Sequence, residues 1–175
     1  MAASGGNDLK HVWASEYGSS ELNRLFAAWA SMRLFAKPDG FKDCCTLGVF
    51  SEPENKLVAV VVYHNYHRLN GVIEISCVTE SRWWLRDGIL HEMFRRPFEV
   101  MGCRTVCMRV PPENKYLAKV LRKYGFRSYT IPDLRGWNGD EVVFTLNCDQ
   151  WRSNAYESPS TDISQSVRQS GSEAA

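Results

Sequence analysis

With 175 residues, 44% of them apolar, the chain has the size of one domain with a buried core and needs no second domain. Lys and Arg number 21 against 20 Asp and Glu, so a formal net charge of +1 gives no global field toward nucleic acid or a membrane surface, and nucleic acid is an unexpected partner. Residues 1–8 lack the basic start and apolar run of a signal peptide, and no stretch reaches about 18 apolar residues, so a soluble protein with no membrane partner is expected.

The six cysteines (Cys44, Cys45, Cys77, Cys103, Cys107 and Cys148) mostly lie inside apolar runs and read as reduced thiols, which points to a cytoplasmic location. Cys44 and Cys45 are adjacent, and Cys103 and Cys107 would stand too far apart along a strand to pair. His64 and His67 have no third ligand at a suitable spacing, so no metal is expected.

In chain order, residues 1–10 read as a flexible start and His11 to Tyr17 as a short first strand. From Glu21, Leu22, Leu25, Phe26, Trp29, Met32 and Phe35 recur at helical spacing, with Ser20 as cap and Pro38-Asp39-Gly40 as stop. Thr46–Phe50 and Leu57–Asn65 read as a hairpin around residues 51–56, and the turn at residues 68–71 leads into a third antiparallel strand, Val72–Val78. A helix is expected over Ile89–Met101, kinked at Pro97, whose ring removes a backbone bond at a cost of about 3 kcal/mol unless packing compensates. Arg104–Val110 reads as a strand stopped by Pro111-Pro112. The next helix buries Leu117, Val120, Leu121 and Tyr124 and ends at Gly125.

Arg127–Ile131 and Glu141–Leu146 close the sheet around a loop holding Trp137. Residues 152–175 are Ser-rich with few apolar side chains, so a disordered tail is expected after a domain spanning 11–151. Trp83-Trp84 beside Arg82 and Arg86 reads as core packing or a cofactor wall in preference to a base-stacking platform.

A helix starting directly after a strand points unpaired amides and its positive dipole end at the strand's carboxyl edge, which makes the turn at Gly88 a candidate phosphate cradle. Pro112-Glu113-Asn114, followed by Lys119-Val120-Leu121-Arg122-Lys123-Tyr124-Gly125-Phe126, resembles the "PEN…VLEKLGF" helix of the GNAT superfamily of acyl-CoA-dependent N-acyltransferases. The order of elements from about Val12 to Leu146 is similar to that family's. Val62-Tyr63-His64-Asn65, Gly71-Val72-Ile73-Glu74 and Trp84-Leu85-Arg86 further resemble GNAT-like proteins encoded in tailed-phage genomes, which would imply the host cytoplasm.

The resemblance implies an α/β (α+β) fold with a mixed, mostly antiparallel sheet and helices on both faces. It also implies acetyl-CoA as acyl donor to an amine of a small molecule or protein, in a monomer or homodimer. The family's phosphate-turn pattern falls on Leu85 to Leu90, with Arg86, Asp87, Gly88, Ile89 and Leu90 as cofactor-binding residues and only the central Gly88 matching. The backbone of Cys77, Val78 and Thr79 would hold the pantetheine arm, and Asn114 would contact cofactor or water or simply cap its helix. Glu74, acting through water, is the first candidate base and Glu80 the second. The family's acidic Tyr falls at Leu121, leaving Tyr124, Tyr116 or solvent as general acid. Tyr63, Asn65 and Tyr66 are expected on the rim of the acceptor cleft. The departures at Leu85, Asp87, Leu90 and Leu121 keep open a second reading, a GNAT-fold interaction protein without transferase activity.

Overall fold

The computed structural model describes residues 9–14, 20–52, 54–82, 84–85 and 88–157. One sheet of seven strands organises them: β1 (Leu9–Ala14), β2 (Cys44–Ser51), β3 (Lys56–His67), β4 (Val72–Thr79), β5 (Thr105–Val110), β6 (Arg127–Ile131) and β7 (Glu141–Asn147). Their spatial order is β1-β2-β3-β4-β5-β7-β6. Every neighbouring pair is antiparallel except β4 and β5, which are parallel. The helices are α1 (Glu21–Phe35), α2 (Ile89–Arg95), α3 (Lys115–Lys123) and α4 (Cys148–Glu157).

Side chains alternate across a strand, so the sheet has two faces with separate cores. One face carries Leu47, Val61, Tyr63, Ile73, Ile75, Val106, Met108, Phe144 and Leu146, covered by Ile89, Met93, Phe94, Leu121 and Trp151. The other carries Cys44, Val60 and Val62 beneath Phe26, Ala27 and Ala30 of α1.

The helical stripe expected for α1 is rotated in the structure. Its buried face is Asn23, Phe26, Ala27, Ala30 and Ser31, while Leu22, Leu25, Met32 and Phe35 stay exposed. Small residues let the helix approach the sheet closely, and Phe26 lies over Gly48, where an added Cβ would stand 2.6 Å from the ring. Two buried hydrogen bonds pin this contact: the Asn23 side-chain amide donates to the Cys44 carbonyl at 2.8 Å and accepts from the Thr46 hydroxyl at 2.9 Å. Ser20 caps the helix, accepting from the Asn23 amide at 3.0 Å.

Pro97 does not bend an ordinary helix. Past α2 the chain widens into a π-helical turn over Arg96–Val100, closed by the Met101 amide donating to the Arg96 carbonyl at 3.0 Å. At the carboxyl end, α4 runs through Glu157 and seats Trp151 in the core, so residues 152–157, expected to begin the tail, belong to a helix. Residues 158–175, 1–8 and 15–19 lie outside the described residues.

Candidate active site

β4 and β5 pair only from Val72↔Thr105 to Glu74↔Cys107, and beyond that register the two strands part. Their continuations, Ile75–Thr79 and Met108–Val110, pair instead with β3 and β7 on their outer sides, which leaves a gap between them. Main-chain groups of successive strand residues point alternately to the two neighbouring strands. The Gly71 carbonyl accepts from Arg104 and Thr105 on the β5 side, and the Glu80 amide donates to Val58 on the β3 side. By that alternation, Ile75, Cys77 and Thr79 face the gap. Val78, expected beside them, directs its main chain to β3.

In the crossover from β4 to β5 stands Gly88, with φ +79 and nothing within 4 Å of where a Cβ would be. It is the amino-terminal cap of α2, and the first-turn amides that follow have no intrahelical acceptor. Ile89 is fully buried, and Leu90, one of the departures from the family pattern, packs against the core. Arg86, Asp87 and Trp83 lie outside the described residues; Trp84 is buried in the core. The open cradle at Gly88 and the gap-facing main chain of β4 fit an extended ligand with a diphosphate.

Glu74 sits at the apex of the gap, the last β4 residue paired with β5. Its Oε2 accepts from the Asn65 side-chain amide at 2.9 Å. Asn65 has φ +51 and lies where the β3–β4 register slips between His64 and His67. His64 is the cross-strand partner of Glu74, and its Nε2 lies 2.9 Å from the Ser76 hydroxyl oxygen. Burial holds the imidazole below its usual range; the Glu74 carboxylate and Asn65 oppose this, and Arg109 adds to it.

His64, Asn65 and Tyr66 also line a cavity of about 580 Å³ with Lys37, Asp39, Gly40, Phe41, Lys42 and Asp43. The cavity reaches Glu74 through Asn65, which lines it and donates to the carboxylate.

Several expected site residues hold the scaffold instead. Tyr63 is fully buried, and its hydroxyl donates to the Met93 carbonyl at 2.7 Å. Four residues further along, Pro97 has no N–H to give that carbonyl, and the tyrosine supplies the missing donor. The Tyr66 hydroxyl donates to the Met101 carbonyl at 3.0 Å, so both tyrosines tether the segment that follows Gly88, and of the two only Tyr66 also lines the cavity.

Tyr124 stacks on Phe94 with ring centroids 5.2 Å apart. Burial pushes its hydroxyl up to about 12, with Trp151 as hydrogen-bond partner. Trp151 follows β7, whose last residue pairs with Thr105 at the closed end of the gap, so Tyr124 stands in an aromatic cluster away from the opening. Asn114 caps α3, accepting from the Leu117 amide at 3.1 Å. Glu80 pairs with Arg33 and with Lys56 at 3.0 Å, and these partners hold its carboxyl below the usual range.

Burial pushes the Cys77 thiol up to about 12 and those of Cys45 and Cys103 up to about 11, so these three stay protonated and poorly nucleophilic at neutral pH. Among the described residues no cluster of three or more His, Cys, Asp or Glu could hold a metal ion, and no helix is long and apolar enough to cross a membrane.

The sequence reading missed the pairing of His64 with Ser76. The signal was present in two strands of known direction, but their register depends on a bulge that sequence does not reveal.

Neither a protein-family model nor a curated protein sequence matches the chain. Solved structures do. The spermidine/spermine N-acetyltransferase SpeG from Vibrio cholerae matches with a TM-score of 0.64 at 10% identity, over 84% of this chain and 98% of that one. A GCN5-related N-acetyltransferase from Brucella melitensis matches with a TM-score of 0.60 at 19% identity, over 91% of this chain and 87% of that one. The ribosomal-protein-S5-alanine acetyltransferase from Vibrio fischeri matches with a TM-score of 0.51 at 20% identity, and the match covers 62% of this chain and 63% of that one. The fold is therefore the mixed α/β fold of the GNAT acetyltransferases. At these identities the likeness is one of fold.

Proposed function

We propose that this chain is an N-acetyltransferase that moves an acetyl group from acetyl-CoA to an amine by direct attack. One observation carries the proposal: a parallel strand pair that parts just beyond a carboxylate, in a crossover that carries an open glycine turn. Bound acetyl-CoA would supply an activated acetyl thioester. The amides after Gly88, those of Ile89 and Leu90, would hold its diphosphate, and Arg86 and Asp87, which precede Gly88 in sequence, are proposed to join them. The main chain of Cys77 and Thr79 would hold its arm, and the Asn114 end of α3 would border it.

An alkylammonium has a pKa near 10, so a group at the apex must take its proton before nitrogen can attack. Glu74 stands there, oriented by Asn65, and takes it through water. The acceptor enters from the cavity at residues 37–43 and 64–66. Two lysines and two aspartates in its lining suit an acceptor with charges of both signs, such as a peptide terminus, better than a polycation. The narrower resemblance to phage-encoded proteins carries a host-cytoplasmic location with it, as part of the same proposal.

Thiol release from acetyl-CoA, measured with spermidine and with a peptide beginning in alanine, tests this reading. We expect turnover with at least one amine. Glu74→Gln should lower kcat by roughly 10²- to 10⁴-fold while acetyl-CoA affinity stays within about twofold. Turnover unchanged in that variant would remove Glu74 as base. Absence of both turnover and acetyl-CoA binding would favour an interaction protein that keeps only the fold.

A further inference from the structure

Converting an alkylammonium into an amide removes two protons from nitrogen, and a single carboxylate accounts for one. Resting on the acetyl-transfer reading, we propose that His64 and Ser76 form the second proton acceptor of the site, Ser76 passing to the imidazole the proton that the amine still carries.

The geometry supplies the path. Ser76 lies on β4 two residues past the apex, on the same face as Glu74, in the stretch that has left β5. Its hydroxyl oxygen lies 2.9 Å from Nε2 of His64. The His64 ring rests on Phe41, with centroids 5.0 Å apart, and lines the cavity through which the acceptor enters. Around the imidazole stand Glu74 on β4, Arg109 on β5 and Asn65 on β3, with Lys37, Asp39, Lys42 and Asp43 across the cavity. Burial favours the neutral ring, the form that accepts a proton.

A nitrogen–carbon bond forms and the thioester carbon–sulfur bond breaks, its electron pair leaving on sulfur, which then takes one proton from water. One ammonium proton goes through water to Glu74. The second goes to the Ser76 oxygen as the hydroxyl's own proton moves to Nε2. Glu74 and His64 return both to solvent through the cavity, so one proton is released per turnover.

The test combines a pH–rate profile with an NMR titration of the four histidines. Thiol release would be followed with spermidine and an alanine-terminated peptide for wild type, His64→Gln and Ser76→Ala, with acetyl-CoA calorimetry reporting that each variant is folded. In wild type the rate should fall as pH drops through the His64 titration, because the imidazolium cannot accept. His64→Gln should lose that acid limb and at least about tenfold in kcat, and Ser76→Ala should lower kcat in the same direction. The His64 resonance should titrate below the ordinary imidazole value of about 6.5, and lower still in Glu74→Gln, where the opposing carboxylate is gone.

If both variants keep the acid limb and the rate, or if the His64 titration ignores Glu74→Gln, the inference is overturned and the transferase reading stands. If wild type releases no thiol with either amine, the transferase reading falls and takes the inference with it. Should His64→Gln fail to bind acetyl-CoA, Ser76→Ala decides.

Discussion

Tyr63 shows how one side chain can be read for the wrong role. Its phenol lies at the end of a run, Val58–Tyr63, buried on both faces of the sheet, where apolar residues follow one another without alternation. Such a run hides which residues face which side. Its hydroxyl belongs to Met93, whose carbonyl is deprived of a donor by Pro97. Tyr63→Phe keeps the ring and removes that donor inside the core. Loss of a buried hydrogen bond of this kind costs about 1–3 kcal/mol. We expect a lower Tm by thermal denaturation with kcat little changed; a large loss of kcat at unchanged Tm would return Tyr63 to the acceptor site.

For Glu74, by contrast, element order alone gave its place on β4, while the base role proposed for it came from the family resemblance. Its partners Asn65 and His64 were not legible as a network, since the bulge between His64 and His67 sets their register and no local pattern announces it.

Among the elements, α1 marks where periodicity misleads. The large apolar residues trace a helical stripe, yet the face against the sheet is built from Ala27 and Ala30, with Phe26 lying over Gly48. Close approach decided the orientation, and the volume available over the sheet is set by the residues beneath it. Gly48→Ala would place a methyl 2.6 Å and 2.7 Å from two ring carbons of a side chain that is itself buried. Overpacking of this kind costs about 1–3 kcal/mol, and we expect a matching fall in denaturation midpoint without change in the slope. A midpoint equal to wild type would mean that α1 can lift from the sheet freely.

The carboxyl-terminal helix was hidden for the opposite reason. α4 is anchored by Trp151 with polar residues around it, so its composition reads as the start of a solvated segment. The segment from β5 to α3 was legible throughout, because the proline stop, the Asn114 cap and Gly125 at φ +98 are local signals.

For the molecule as a whole, the sheet does one thing that matters to function: it parts. The hairpins order β2, β3 and β4 and make β6 and β7 neighbours, whereas the place of β7 between β5 and β6 and the short pairing of the parallel β4 and β5 carry no local signal. Gly88 occupies the turn at the start of α2 at a positive φ with empty space beside it, so it can face a ligand without a side chain in the way. The two tyrosine tethers, from Tyr63 to Met93 and from Tyr66 to Met101, hold the helical segment that carries the turn, which links the core of one face to the geometry of the cradle.

Isothermal calorimetry of the purified chain with acetyl-CoA, repeated on Gly88→Trp, tests this arrangement most directly. The account predicts saturable binding by wild type and at least about tenfold weaker binding by the variant, whose added ring would fill the open cradle. No binding by wild type at millimolar acetyl-CoA, or equal binding by both proteins, would contradict it.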